Sequence, residues 1–68
     1  MLSRRETEKF LETYFDECMA YWTAALHDRD RALKRAIFDV ELIDRNQKGA
    51  LLDLATKEEF IRNKQNKK

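Results

Sequence analysis

Along residues 4–26, apolar positions recur with the period of a helix. Leu11, Phe15, Cys18, Trp22 and Ala25 follow one another at intervals of 4, 3, 4 and 3, which is a heptad seam. With each residue turned about 100° from the last, Phe10, Tyr14, Met19, Tyr21 and Leu26 widen that seam to roughly half the circumference. Lys9, Glu12, Thr13 and Asp16 hold the other side. A face this wide exceeds the stripe of a two-stranded coiled coil and calls for two neighbours. Ser3 followed by Glu6 fits a capping box, which starts the first helix at Arg4.

A second apolar series, Leu33, Ala36, Ile37, Val40 and Ile43, predicts a helix from Arg29 to about Asn46. Phe38 and Leu42 fall on its opposite side, one turn apart, as a small second stripe. Gly49 is placed to cap the end of this helix, and Arg45 and Lys48 suit its negative pole. The stretch "ALLDLATKEEFIRNK" gives a third helical segment. In it Leu51, Leu54 and Ile61 share a face, Leu52 and Phe60 lie beside it, and Thr56 with Glu59 offers another capping box.

Between the first two apolar series stands "HDRDR", residues 27–31, which can be read in two ways. Asp28 or Asp30 can cap a new helix and make a hairpin. Alternatively, the absence of Gly and Pro here lets the helix run on, with Asp30 and Lys34 as an i,i+4 pair. A continuous rod over residues 4–46 would be about 64 Å long and could not bury its face within one small monomer. The hairpin is the favoured expectation.

The chain has no proline and one glycine in 68 residues, and that lack of breakers says all-α. The predicted fold is a helical hairpin (about 4–27 and 29–46) plus a short C-terminal helical segment (about 50–63), assembled into an oligomeric bundle. Residues 1–63 form one small domain and 64–68 a frayed basic tail. A domain of this size has a thin core and usually needs a staple or an oligomer. One cysteine allows no internal disulfide, and one histidine with one cysteine cannot complete a structural zinc site. Self-association or docking on another protein is therefore expected to supply the missing stability.

Charge adds a constraint. The 14 basic and 13 acidic residues leave a net charge of +1, unlike a strongly basic nucleic-acid binder. The balance is uneven, with residues 47–68 carrying six basic against three acidic side chains. The start lacks the apolar core of a signal peptide, and the longest apolar run, "MAYWTAAL", is far short of a membrane span. A cytoplasmic protein is expected. In size and helical pattern it is the kind of chain met among small phage, plasmid or bacterial proteins, although no motif ties it to any of them.

Candidate chemistry is sparse. His27, Asp28 and Asp30 can ligate metals, but no second histidine completes a helical ligand pair, and Arg29 and Arg31 would repel a cation. Cys18 lies on the apolar seam, where a thiol is shielded. Glu8, Glu12 and Asp16 pair carboxylates on a polar face without the Glu-x-x-His of di-iron bundles. No phosphate loop, catalytic triad set or dinucleotide fingerprint occurs. The expectation is a non-enzymatic protein-interaction module (adaptor, inhibitor or chaperone-like regulator) without metal or cofactor, binding itself and another protein. Its partner-binding residues are predicted to be Tyr14, Tyr21, Trp22, Phe38 and Leu42, because amphipathic aromatics and exposed apolars suit an interface. The alternative is a dimeric nucleic-acid-binding regulator using Arg31, Lys34 and Arg35 with the tail residues Lys64, Lys67 and Lys68.

Overall fold

The computed structural model describes residues 2–43 and 52–66, which form three helices with no strand among them. Helix α1 spans Arg4–Leu26, α2 spans Arg29–Glu41 and α3 spans Leu54–Asn66. The capping box forms as the sequence predicts. The Ser3 hydroxyl accepts from the Glu6 amide, and the Glu6 carboxylate accepts from the Ser3 amide.

The question posed by residues 27–31 is settled by the backbone. His27 ends α1 in the left-handed region (φ 54°, ψ 33°), and its amide donates to the Thr23 carbonyl. Asp28 is extended and caps α2, its carboxylate accepting from the Arg31 amide. Two residues therefore reverse the chain, and α1 and α2 form an antiparallel hairpin. A histidine at positive φ sits where glycine would be unstrained. His27→Gly is accordingly expected to raise stability by about 0.5–1 kcal/mol, while Asp28→Ala lowers it by about 1 kcal/mol through loss of the cap. Urea denaturation of the two variants checks the opposite signs.

The core lies where three helices meet. Leu11 and Phe15 of α1, Ala32, Ala36, Ile37 and Val40 of α2, and Ile43 and Leu52 just outside the helices are buried. Two fully buried alanines in α2 leave room for α1 to approach closely. The wide face of α1 does touch two neighbours, α2 and α3. Its seam is not buried throughout, however. Cys18 and Trp22 are half-buried and Ala25 is exposed.

Several boundaries and facings differ from the sequence reading. Helix α2 ends at Glu41, with Leu42 as its C-cap, short of the predicted Asn46. The proposed cap Gly49, together with Arg45, Lys48 and Leu51, lies outside the described residues. Among the described residues, α3 brings a positive charge to the end of α2, where the Lys57 ammonium donates to the Glu41 and Ile43 carbonyls. Helix α3 begins at Leu54 and runs to Asn66. Its cap is Asp53, whose carboxylate accepts from the Ala55 and Thr56 amides. Thr56 does not form the predicted box with Glu59. It is buried in the first turn of the helix and donates its hydroxyl to Asp53 at 2.8 Å. This register turns Leu54 outward, 61% exposed, rather than onto a face shared with Ile61.

Two carboxylates at helix starts are held below their ordinary values. Glu6 is lowered mainly by the Ser3 amide, and Asp53 mainly by the Thr56 hydroxyl, with the Thr56 and Ala55 amides adding to it. A depressed folded pKa contributes stability that is present above the unfolded value and lost as pH falls through the folded one. The ordinary values are 4.5 for Glu6 and 3.8 for Asp53, so stability should decline below about pH 4.5. Thermal unfolding followed from neutral to acid pH checks this. The combined Glu6→Gln and Asp53→Asn variant should show a flatter profile in that window.

Candidate interaction surface

Polar contacts set where α3 lies along the hairpin. The Asp53 amide donates to the buried Thr7 hydroxyl at 3.1 Å. Arg4 bridges Glu8 and Glu59, and Lys64 reaches Glu12 at 3.8 Å. Asp53 lies at Thr7, whereas Phe60 and Lys64 lie at Phe15 and Glu12, so α3 runs broadly parallel to α1 and covers its first half, with the long Arg4 side chain reaching forward to Glu59. Phe60 meets Phe15 edge to face, with ring centroids 5.8 Å apart. The Lys64 ammonium lies about 5 Å from both rings, placing a cation over apolar surface at the end of the covered region.

Beyond Lys64 the track of α3 continues as an open groove. At about 1.5 Å per residue, α1 is roughly 15 Å longer than α3, and among the described helices none covers the hairpin's turn end as a third. The groove has a volume of about 790 Å³ and is walled by Phe15, Met19, Ala20, Ala24 and Leu33. A second groove of about 510 Å³ runs between α2 and the end of α3, past Leu33, Ile37, Phe38 and Gln65. The two meet at Leu33 and Asp30, which line both.

The charged side chains at the two ends of the α3 track differ. At the covered end, Arg4, Glu8, Glu12, Glu59 and Lys64 pair with one another across or along helices. At the open end, Asp16, Arg29, Asp30, Lys34 and Glu41 line the grooves. None of these five makes a side-chain hydrogen bond or ion pair among the described residues. The i,i+4 pair expected between Asp30 and Lys34 is not formed.

The five residues predicted to bind a partner fall on different surfaces. Phe38 is 49% exposed and lines the second groove, and Leu42, 59% exposed, follows it one turn later on α2. Both point away from the core, as their spacing predicts. Tyr14, Tyr21 and Trp22 belong to a separate cluster. Tyr14 is half-buried and stacks on Phe10 at 6.1 Å. Tyr21, 65% exposed, meets the Trp22 ring edge to face at 4.9 Å.

Trp22 is clasped by α2. Its indole N–H donates to the Asp39 carboxylate at 2.8 Å, and the Arg35 guanidinium stands over its ring at 5.3 Å. Asp39, one turn after Arg35, was not singled out by the sequence, because a lone aspartate on a helix flank carries no pattern of its own. The Cys18 thiol and Tyr14 hydroxyl adjoin the same carboxylate. Burial pushes the Cys18 thiol up, and the negative charge of Asp39 adds to the shift. Burial likewise raises the Tyr14 hydroxyl. Both effects favour the protonated side chains and disfavour the thiolate that a nucleophilic cysteine needs. The cluster therefore reads as a polar latch between α1 and α2. Asp39→Ala should cost about 1–2 kcal/mol by leaving the indole N–H without its acceptor. Asp39→Asn should recover part of that loss, as read by urea unfolding and Trp22 fluorescence.

The basic residues named for nucleic acid are spread over different settings. Arg31 is exposed on α2, Lys34 lines the second groove, Arg35 covers Trp22, and Lys64 covers Phe15 and Phe60. Lys67 and Lys68 lie outside the described residues. His27, Asp28 and Asp30 are spent on a turn and on the start of a helix, and among the described residues no three His, Cys, Asp or Glu side chains gather as a metal site. No described helix is long and apolar enough to cross a membrane. Set beside known proteins, the chain matches no family model, no curated protein and no solved structure.

Proposed function

We propose that this chain is a small cytoplasmic, non-enzymatic protein-interaction module that receives an apolar helical segment of a partner in the groove beyond α3. Such a module acts as an adaptor, an inhibitor or a chaperone-like regulator by covering the partner's surface. One observation carries the reading. The apolar track that α3 follows along the hairpin continues past Lys64 with its walls in place and none of the described helices filling it. A helix needs an apolar stripe on its host, a groove of matching width and polar groups at the edges. Met19, Ala20, Ala24 and Leu33 supply the first two, and the charges that have no partner among the described residues supply the third.

Photo-crosslinking in the native host tests this. A benzophenone amino acid placed at Ala20 or Phe38 should give protein adducts. The same group at Thr13, on the exposed polar side of α1, should give none. Adducts at all three positions alike, or at none, would remove the groove as an interaction site.

A further inference from the structure

The occupant of the groove can be named from the groove's own edges. Resting on the interaction reading above, we propose that a second copy of this chain docks there about a two-fold axis. A two-fold interface puts the same patch on both sides, so that patch must hold both projections and recesses, and charges of both signs. The surface around Leu33 meets both requirements. Phe38, half-exposed, is at once a wall of the second groove and a side chain free to enter a neighbour's.

The charges carry the choice of partner. Asp16, Asp30 and Glu41 line the grooves together with Arg29 and Lys34, and Lys64, at the long distance of 3.8 Å from Glu12, brings the basic side to three. A strongly acidic or basic peptide laid here would meet as many like charges as opposite ones, which opposes its docking. A second copy carries the same mixture of signs, so a two-fold can set acids of one copy against bases of the other. The thin core of a domain this size gains from the same event, because docking covers apolar side chains that one copy leaves wet.

A charge-swap experiment on the full chain, followed by sedimentation velocity, tests the proposal. One variant carries Asp16→Lys with Asp30→Lys, and the other Arg29→Glu with Lys34→Glu. Wild type should sediment as a dimer, each variant alone should dissociate with an affinity loss of about tenfold or more, and an equimolar mixture should restore the dimer. A wild type that stays monomeric at about 100 µM, where a micromolar interface would be filled, overturns the proposal. So does a dimer that persists in either variant alone, or a mixture that stays monomeric while circular dichroism shows both variants folded. Should a double variant fail to fold, Phe38→Glu, at an exposed position, replaces it and must abolish the dimer with helix content kept. A monomeric wild type that still gives adducts to another protein at Ala20 and Phe38 would overturn the second copy alone. Absence of all adducts would overturn the groove itself.

Discussion

Leu11→Ala should lower the unfolding free energy by about 2–5 kcal/mol, the range for truncating a buried leucine. Leu11 is fully buried at the place where α1, α2 and the segment before α3 converge. Its loss removes the transfer free energy of the side chain and leaves a cavity that surrounding helices close only in part. Small domains carry few kcal/mol in reserve, so the variant should be substantially unfolded at 25 °C. Circular dichroism during a urea titration checks this. The control is Phe38→Ala, which removes a larger side chain from a half-exposed site and should leave the monomer's stability nearly unchanged. A large loss for Phe38→Ala with little for Leu11→Ala would invert the assignment of core and surface.

The opposite change in volume is the second test. Ala36→Leu inserts three carbons at a position with no exposed surface, facing the Leu11 and Phe15 layer. Overpacking a closed site costs about 1–3 kcal/mol, and a shift of α2 away from α1 to relieve it would strain the latch between Trp22 and Asp39. The variant should therefore both lose stability and shift Trp22 emission to the red, since the indole is half-buried and reports on that seam. A substitution that leaves stability and emission unaltered would mean that the helices are not closely packed at Ala36. The two variants together bracket the core, one by emptying it and the other by overfilling it.

Much of this fold is legible in the chain because helices advertise their angular facing. Leu11, Phe15, Ala36, Ile37, Val40 and Ile43 are buried as their spacing predicts, and Phe38 and Leu42 are exposed for the same reason. The capping box at Ser3 and Glu6 is read from four adjacent residues, since all its atoms are local. The turn was legible only as two alternatives. Histidine in the left-handed region has no strong local signal, so the reversal at His27 and Asp28 follows from what the hairpin buries more than from the turn itself. At the candidate site the sequence identified Phe38 and Leu42 as a stripe, but not the groove that Phe38 walls. It grouped Tyr14, Tyr21 and Trp22 with them, although these sit on a different seam. Asp39 and Asp53 went unnoticed, because the meaning of each depends on a partner or on a register that no spacing rule encodes.

By itself the sequence determined an all-helical chain, the rotation of each apolar stripe about its helix axis and the start of α1. These depend on periodicity and on contacts within four residues. Only the tertiary structure decided how far each stripe is covered. Ala25 lies on the seam and is exposed, whereas Lys64, expected in a solvated tail, lies half-buried over two phenylalanine rings. Periodicity reports the angle around an axis and nothing about distance along it. Axial coverage depends on where α3 is anchored, by Asp53 on Thr7 and by Glu59 on Arg4, pairs 46 and 55 residues apart in the chain. That anchoring places the end of α3 short of the hairpin's turn, and the open groove follows from it.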